Sequence, residues 1–117
     1  MSCPHFIASS LALRTATHLA HLSTKSYAQH MALGDFYSGL EGLIDKYAEV
    51  YMGLESQITS FPTVKLPSGT PVALLEEYLD AISAEVEEDH GSEALKNILA
   101  GLEELTAQTL YKLRNLK

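Results

Sequence analysis

From Leu33 onward the apolar positions fall at Leu33, Tyr37, Leu40, Ile44, Tyr47 and Tyr51, in alternating steps of four and three. That rhythm is the signature of one buried helical face. Val72, Leu75, Leu79, Ile82 and Val86 repeat it, as do Leu95, Ile98, Leu102, Leu105 and, after an interruption at Thr109, Leu113 and Leu116. No stretch alternates with period two for long enough to predict a strand. The pattern predicts an all-α chain.

Capping residues divide it into four helices. Pro4 suits the first turn of a helix reaching about Leu22, and Ser26 caps a second from Tyr27 to about Leu54. Thr70 caps a third helix with Pro71 at its first position, ending near Glu87-Glu88-Asp89, where His90-Gly91 breaks it. Ser92 caps a fourth that runs almost to the C-terminus. Lengths of this kind with short turns predict one antiparallel four-helix bundle over residues 1–117. The exception is the stretch from Ser60 to Gly69, with Pro62, Pro67 and a glycine. The whole connection after Leu54, of about 15 residues at up to about 3.3 Å each, is long enough to span a bundle about 30–45 Å long.

Composition narrows the class. In 117 residues, 46% hydrophobic and 20% charged, there is material for one core and not for a disordered chain. No apolar run reaches a membrane helix, and the N-terminus lacks the basic n-region of a secretory signal. The one cysteine, Cys3, excludes an internal disulfide framework and a cysteine-based zinc site, so a reducing cytoplasm is the expected setting. With a net charge of −7 and scattered Lys and Arg, neither nucleic acid nor an anionic membrane is an expected partner.

Candidate chemistry concentrates on the second helix. Beside its apolar stripe lies an arc of Glu41, Gly34, Asp45, Ser38 and Glu49 that contains no large apolar residue. Asp45 and Glu49, four residues apart, project side by side and have the spacing to bite one cation. His18 and His30 flank the first turn symmetrically about Thr24, which predicts that their imidazoles face each other, with His21 as a supplement. His30 and Asp45 lie 15 residues apart. A helix separates such residues by about 22 Å, so they cannot share a cation within one chain. A symmetric dimer removes the obstacle. If the second helix packs antiparallel on its own copy near Tyr37 and Ser38, His18 and His30 of one copy meet Asp45 and Glu49 of the other. Mixed imidazole and carboxylate ligation suits iron, zinc or manganese.

The spacing His18-x11-His30-x14-Asp45-x3-Glu49, with Phe36 and Ala48 between, resembles the inter-subunit ferroxidase motif of the Dps mini-ferritins. The wider run HLAHLSTKSYAQHMALGDFYSGLEGLIDKYAEVYMG is similar to small ferritin-like proteins encoded by bacteriophages. The resemblance covers roughly residues 1–60. It implies a ferritin-like bundle, an iron site on His18, His30, Asp45 and Glu49, ferroxidase chemistry, a homo-oligomer of at least two chains and a bacterial host cytoplasm. Dps proteins usually carry an aspartate one turn after the second histidine. Here that position is Gly34 with Asp35 adjacent, so Asp35 joins His21, Tyr37 and Glu41 as outer-shell candidates.

Other polar features carry blander expectations. Glu87-x-x-His90 superficially matches a di-iron Glu-x-x-His pair, but it has no second copy and sits at a helix end. Glu85, Glu87, Glu88 and Asp89 read as a solvated acidic end, and Cys3 as an incidental residue near a frayed terminus. The competing function class is a phage-type helical module that binds or inhibits a protein partner through its acidic surface, without a catalytic metal.

Overall fold

The computed structural model describes residues 2–88 and 91–117. It contains α1 (Cys3–Ser23), α2 (Tyr27–Leu54), α3 (Pro71–Glu87) and α4 (Glu93–Asn115), with no strand among the described residues. One device starts all four helices. The hydroxyls of Ser2, Ser26, Thr70 and Ser92 accept from the backbone N–H of His5, Gln29, Ala73 and Leu95, each satisfying one orphan donor of a first turn. The expected break at His90 and the Glu87–His90 pair involve Asp89 and His90, which lie outside the described residues.

Helix directions follow from which side chains meet. Along the α1–α2 seam Phe6 lies beside Tyr47, and His18 beside Tyr37. Between α1 and α3, the Ser10 and Tyr78 hydroxyls hydrogen-bond at 2.7 Å and Leu13 shares a hollow with Leu74. Lys112 of α4 reaches Asp35 of α2, while Leu105 covers Gly39 and Leu43 covers Gly101. Glu76 of α3 pairs with Arg114 of α4 at 2.6 Å. Every one of these neighbouring pairs is therefore antiparallel, so α2 and α3 run the same way. The chain between Leu54 and Pro71 must return along the bundle, whose longest dimension is 43 Å. It does so over the outer face of α1, where Phe61, Pro62, Val64 and Leu66 lie against Ala8, Leu11, Ala12 and Thr15. The long connection spans the bundle, as its length predicts.

The core follows the expected stripes in part: on α2 Phe36 takes the buried place expected of Tyr37, which is half-buried, and on α4 Leu105 and Leu113 are half-buried and Leu116 is exposed. Phe6, Phe36, Leu40, Ile44 and Tyr47 from the first two helices meet Leu75, Leu95, Leu99, Leu102 and Leu110 from the last two, all fully buried. Thr109 does not interrupt the α4 stripe. Thr106 and Thr109 are buried and donate their hydroxyls to the carbonyls of Leu102 and Leu105 one turn back, which satisfies them inside the core. Thr17 does the same on α1 through Leu13.

A further shift is on α3, where Leu74, Leu75, Tyr78, Ile82 and Glu85 face inward, Val72 and Leu79 are half-buried and Val86 is exposed. Glu85, expected on a solvated acidic end, is 1% exposed, because the Tyr47 hydroxyl of α2 donates to its Oε2 at 2.6 Å. A charge-assisted bond of this kind offsets part of the desolvation of a buried carboxylate. Glu87 and Glu88 remain exposed, as expected.

Cys3 is likewise not on a frayed end. It is buried where α1 starts, close to Tyr47 and Glu85. Burial, and then the Glu85 charge, push its thiol from an ordinary 9.0 up to about 12. The folded chain therefore holds this proton at pH values where the unfolded chain releases it. This group's contribution to stability is full below 9 and is lost as pH rises toward 12. Native protein at pH 8 should react with an aromatic disulfide reagent far more slowly than denatured protein; equal rates would show an accessible, unshifted thiol.

Candidate functional site

The site lies where α1 ends and α2 begins. The connecting turn is held locally. Ser26 donates its backbone N–H to the Thr24 hydroxyl at 3.1 Å, and that hydroxyl also bonds the Gln29 side chain. Beyond the turn, one seam joins the helices at steps of three and four: Arg14 with Glu41, His18 with Tyr37, and His21 with Gly34. This register differs from the one expected from symmetry about Thr24, because the seam pairs His18 with Tyr37, seven residues past His30. Facing His30 is His21.

The two rings stack with centroids 3.7 Å apart and planes 17° from parallel. His21 Nδ1 lies 2.5 Å from the carbonyl oxygen of His30, and His30 Nδ1 lies 2.8 Å from the carbonyl oxygen of His21. A carbonyl oxygen only accepts, so both Nδ1 atoms carry the hydrogen. In the neutral rings Nε2 is left as the lone-pair atom. Gly34 makes this possible, since a Cβ there would sit 3.0 Å from His21 Cε1 and 3.2 Å from its Nδ1. The space beside Gly34 is filled by an imidazole of the same chain.

His18 stacks on Tyr37 at 4.1 Å and 12°, and Tyr37 meets the edge of His21 at 5.3 Å. Three imidazoles and a phenol thus gather in one half-buried cluster. The other expected residues stand apart. Asp35 lies 3.9 Å from Lys112 on α4, and Glu41 lies 3.6 Å from Arg14, so both carboxylates face cations away from the imidazoles. Asp45 and Glu49 are exposed further along α2, with no hydrogen bond or ion pair among the described residues.

Among the described residues no group of three or more His, Cys, Asp or Glu side chains is placed to hold one metal ion. The stacked pair does not chelate one either. A lone pair lies in its ring plane, and planes this close to parallel do not meet within the roughly 2.1 Å of a metal–nitrogen bond. One chain supplies imidazole donors and, far from them, a carboxylate pair. Symmetry about Thr24 missed that His21, and not His18, faces His30; the available signal was Gly34, a helix-interior glycine opposite His21 in the seam.

Residues 21–113, which include His21, His30, Asp45 and Glu49, match a family described as a family of unknown function, DUF5856. The chain belongs to that family. A DUF5856 chain of this kind is also similar to the uncharacterized 14.6 kDa protein in the mobD-ri intergenic region of Enterobacteria phage T4, at 38% identity over 73 residues. That match takes in 60% of this chain and 56% of the phage protein, little more than half its length. No solved structure matches. The similarity to small phage proteins is thus met by a phage relative, and no helix of the DUF5856 chain is long and apolar enough to cross a membrane among the described residues. Neither description mentions ferritin or a metal.

The clasp predicts opposite effects at two glycines. Gly34→Val drives the His21 ring out and breaks its hydrogen bond to the His30 carbonyl, a loss of about 1–3 kcal/mol in denaturant unfolding. Gly53→Ala, where a Cβ meets nothing within 4 Å, should be neutral or stabilise by up to about 1 kcal/mol through helix propensity. Equal tolerance at both positions would contradict the clasp.

Proposed function

We propose that the protein is a metal-binding, Dps-like member of the ferritin-like bundles that works as a dimer at least. Each cation lies between imidazoles of one copy and Asp45 with Glu49 of the other. The observation that carries this reading is the division of donors along α2. His30 has its Nδ1 committed to a carbonyl and its Nε2 left over, the arrangement usual for metal-bound histidines. Asp45 and Glu49 project from the same helix into solvent with no partner of their own among the described residues. Antiparallel packing of α2 on its copy about Tyr37 and Ser38 brings each half to the other. The α1 contribution is His18, on the Dps spacing, since His21 is stacked on His30 and cannot share a cation with it. The bundle-spanning connection agrees with this reading, since ferritin-like topology requires one.

Two carboxylates and imidazoles suit iron, zinc or manganese, and Fe(II) would be the substrate if the site turns over as a ferroxidase. The phage relative fits action in a bacterial host cytoplasm. A second reading, a protein-binding module, is favoured by the exposed apolar side chains Leu19, Leu22, Tyr27 and Met31 near the same turn.

Titration of Zn(II), Mn(II) and anaerobic Fe(II), with sedimentation of the same samples, separates the two. The wild type should sediment as a dimer or larger and bind metal. Asp45→Ala/Glu49→Ala should lose binding while remaining helical. Ser38→Trp, at the proposed two-fold contact, should lose both dimer and metal. A monomer that binds metal, or a double variant that binds unchanged, favours a different site; absence of any metal binding favours the protein-binding module.

A further inference from the structure

The structure assigns a specific part to His21, resting on the metal reading above: we propose that His21 is the positioning residue that prepares His30 for the cation. A free imidazole exchanges its proton between two nitrogens and rotates about two side-chain bonds, so a lone pair aimed at a metal is only one of its states. His30 is held in that state by two contacts. Its Nδ1 donates to the backbone carbonyl of His21 at 2.8 Å, which fixes the tautomer and leaves Nε2 bare. The His21 ring lies flat against it at 3.7 Å, which fixes the rotation.

His21 is itself held by the mirror contact, its Nδ1 on the carbonyl of His30 at 2.5 Å. The ring reaches that carbonyl through the gap that Gly34 leaves. The edge of Tyr37, 5.3 Å away, packs against the same ring, and Tyr37 carries His18 on its face. Each histidine thus orients the other, and the pair locks α1 to α2 at the level where the second copy is to supply its carboxylates. Outer-shell partners that orient a ligand imidazole typically change metal affinity ten- to a hundredfold when removed. His21 fills the place that a carboxylate or carbonyl acceptor fills elsewhere, by adding a stacked ring to the carbonyl it carries. His18, stacked on Tyr37, has no such hold on His30.

Two measurements on the full chain test this. The first is long-range 1H–15N correlation of the metal-free protein, which reads imidazole tautomers directly. Wild type should show both His21 and His30 protonated at Nδ1. His21→Ala keeps the backbone carbonyl, so His30 should stay mainly protonated at Nδ1; it should lose its fixed ring rotation, read as averaging of its side-chain couplings, and His21→Phe, which keeps a flat ring, should lose less. The second is Zn(II) titration of the same proteins. Affinity should fall about ten- to a hundredfold in His21→Ala and by less in His21→Phe, with helical content unchanged. His30 found as the Nε2–H tautomer in the wild type overturns the proposal, as does a His21→Ala protein with unaltered His30 ring rotation and affinity. Zn(II) uptake that survives both His21→Ala and His21→Phe unchanged, but is lost in Asp45→Ala, leaves the inter-copy site standing and removes only the role of His21. No Zn(II) uptake by the wild type overturns the metal reading, and the positioning role with it.

Discussion

The register of the α1–α2 seam is the constraint on which the rest of the molecule depends. Arg14 meets Glu41, His18 meets Tyr37 and His21 meets Gly34, each pair one helical turn from the next. Sliding one helix past the other by a turn would drive the His21 ring into a side chain in place of a glycine and strip two carbonyls of their imidazole donors. The crossed hydrogen bonds fix the register near the turn, while packing of Phe6 against Tyr47 fixes it at the other end. These two points tie the hairpin at both ends. Its outward face carries Ser38, Gly42, Asp45 and Glu49.

The far end of the bundle is held by a different polar device. Tyr47 joins α2 to α3 through Glu85, and Cys3 of α1 lies beside both. Phe6 stacks on Tyr78 at 5.9 Å, and Tyr78 in turn bonds Ser10. Burial, then the bond to Glu85, hold the Tyr47 phenol far above its ordinary range, so it stays a donor to the carboxylate. A buried carboxylate is weak evidence for stability and better evidence for specificity, because a slipped α3 would leave it without its donor. The two ends thus specify the helix pairings that the apolar stripes alone leave degenerate.

The helices, their caps and the spanning connection were legible in the sequence because each rests on local chemistry. A hydroxyl at Ser26, Thr70 or Ser92 caps whatever follows it, and a proline-rich segment of that length suits a return along the bundle. What was not legible depended on registration between helices. Symmetry about Thr24 pointed to His18 opposite His30, whereas three-and-four stepping across the seam puts His18 on Tyr37 and brings His21 to His30. Glu85 and Val86 exchanged places for a similar reason. The apolar rhythm favours Val86 inward, and only the Tyr47 hydroxyl, 38 residues away in sequence, turns Glu85 in. The distance along α2 between His30 and the Asp45–Glu49 pair was readable from spacing, because it follows from helix rise alone.

The central claim is that each cation is shared between copies, and mixing two defective variants tests it most directly. His30→Ala keeps the carboxylate half and Asp45→Ala keeps the imidazole half, so neither homodimer has a complete site. A mixed dimer has one complete site, built from His30 of one chain and Asp45 of the other. Refolding the two variants together should restore Zn(II) binding that neither shows alone. Binding by either variant alone, or no recovery in a mixture shown by sedimentation to contain mixed dimers, would contradict the account.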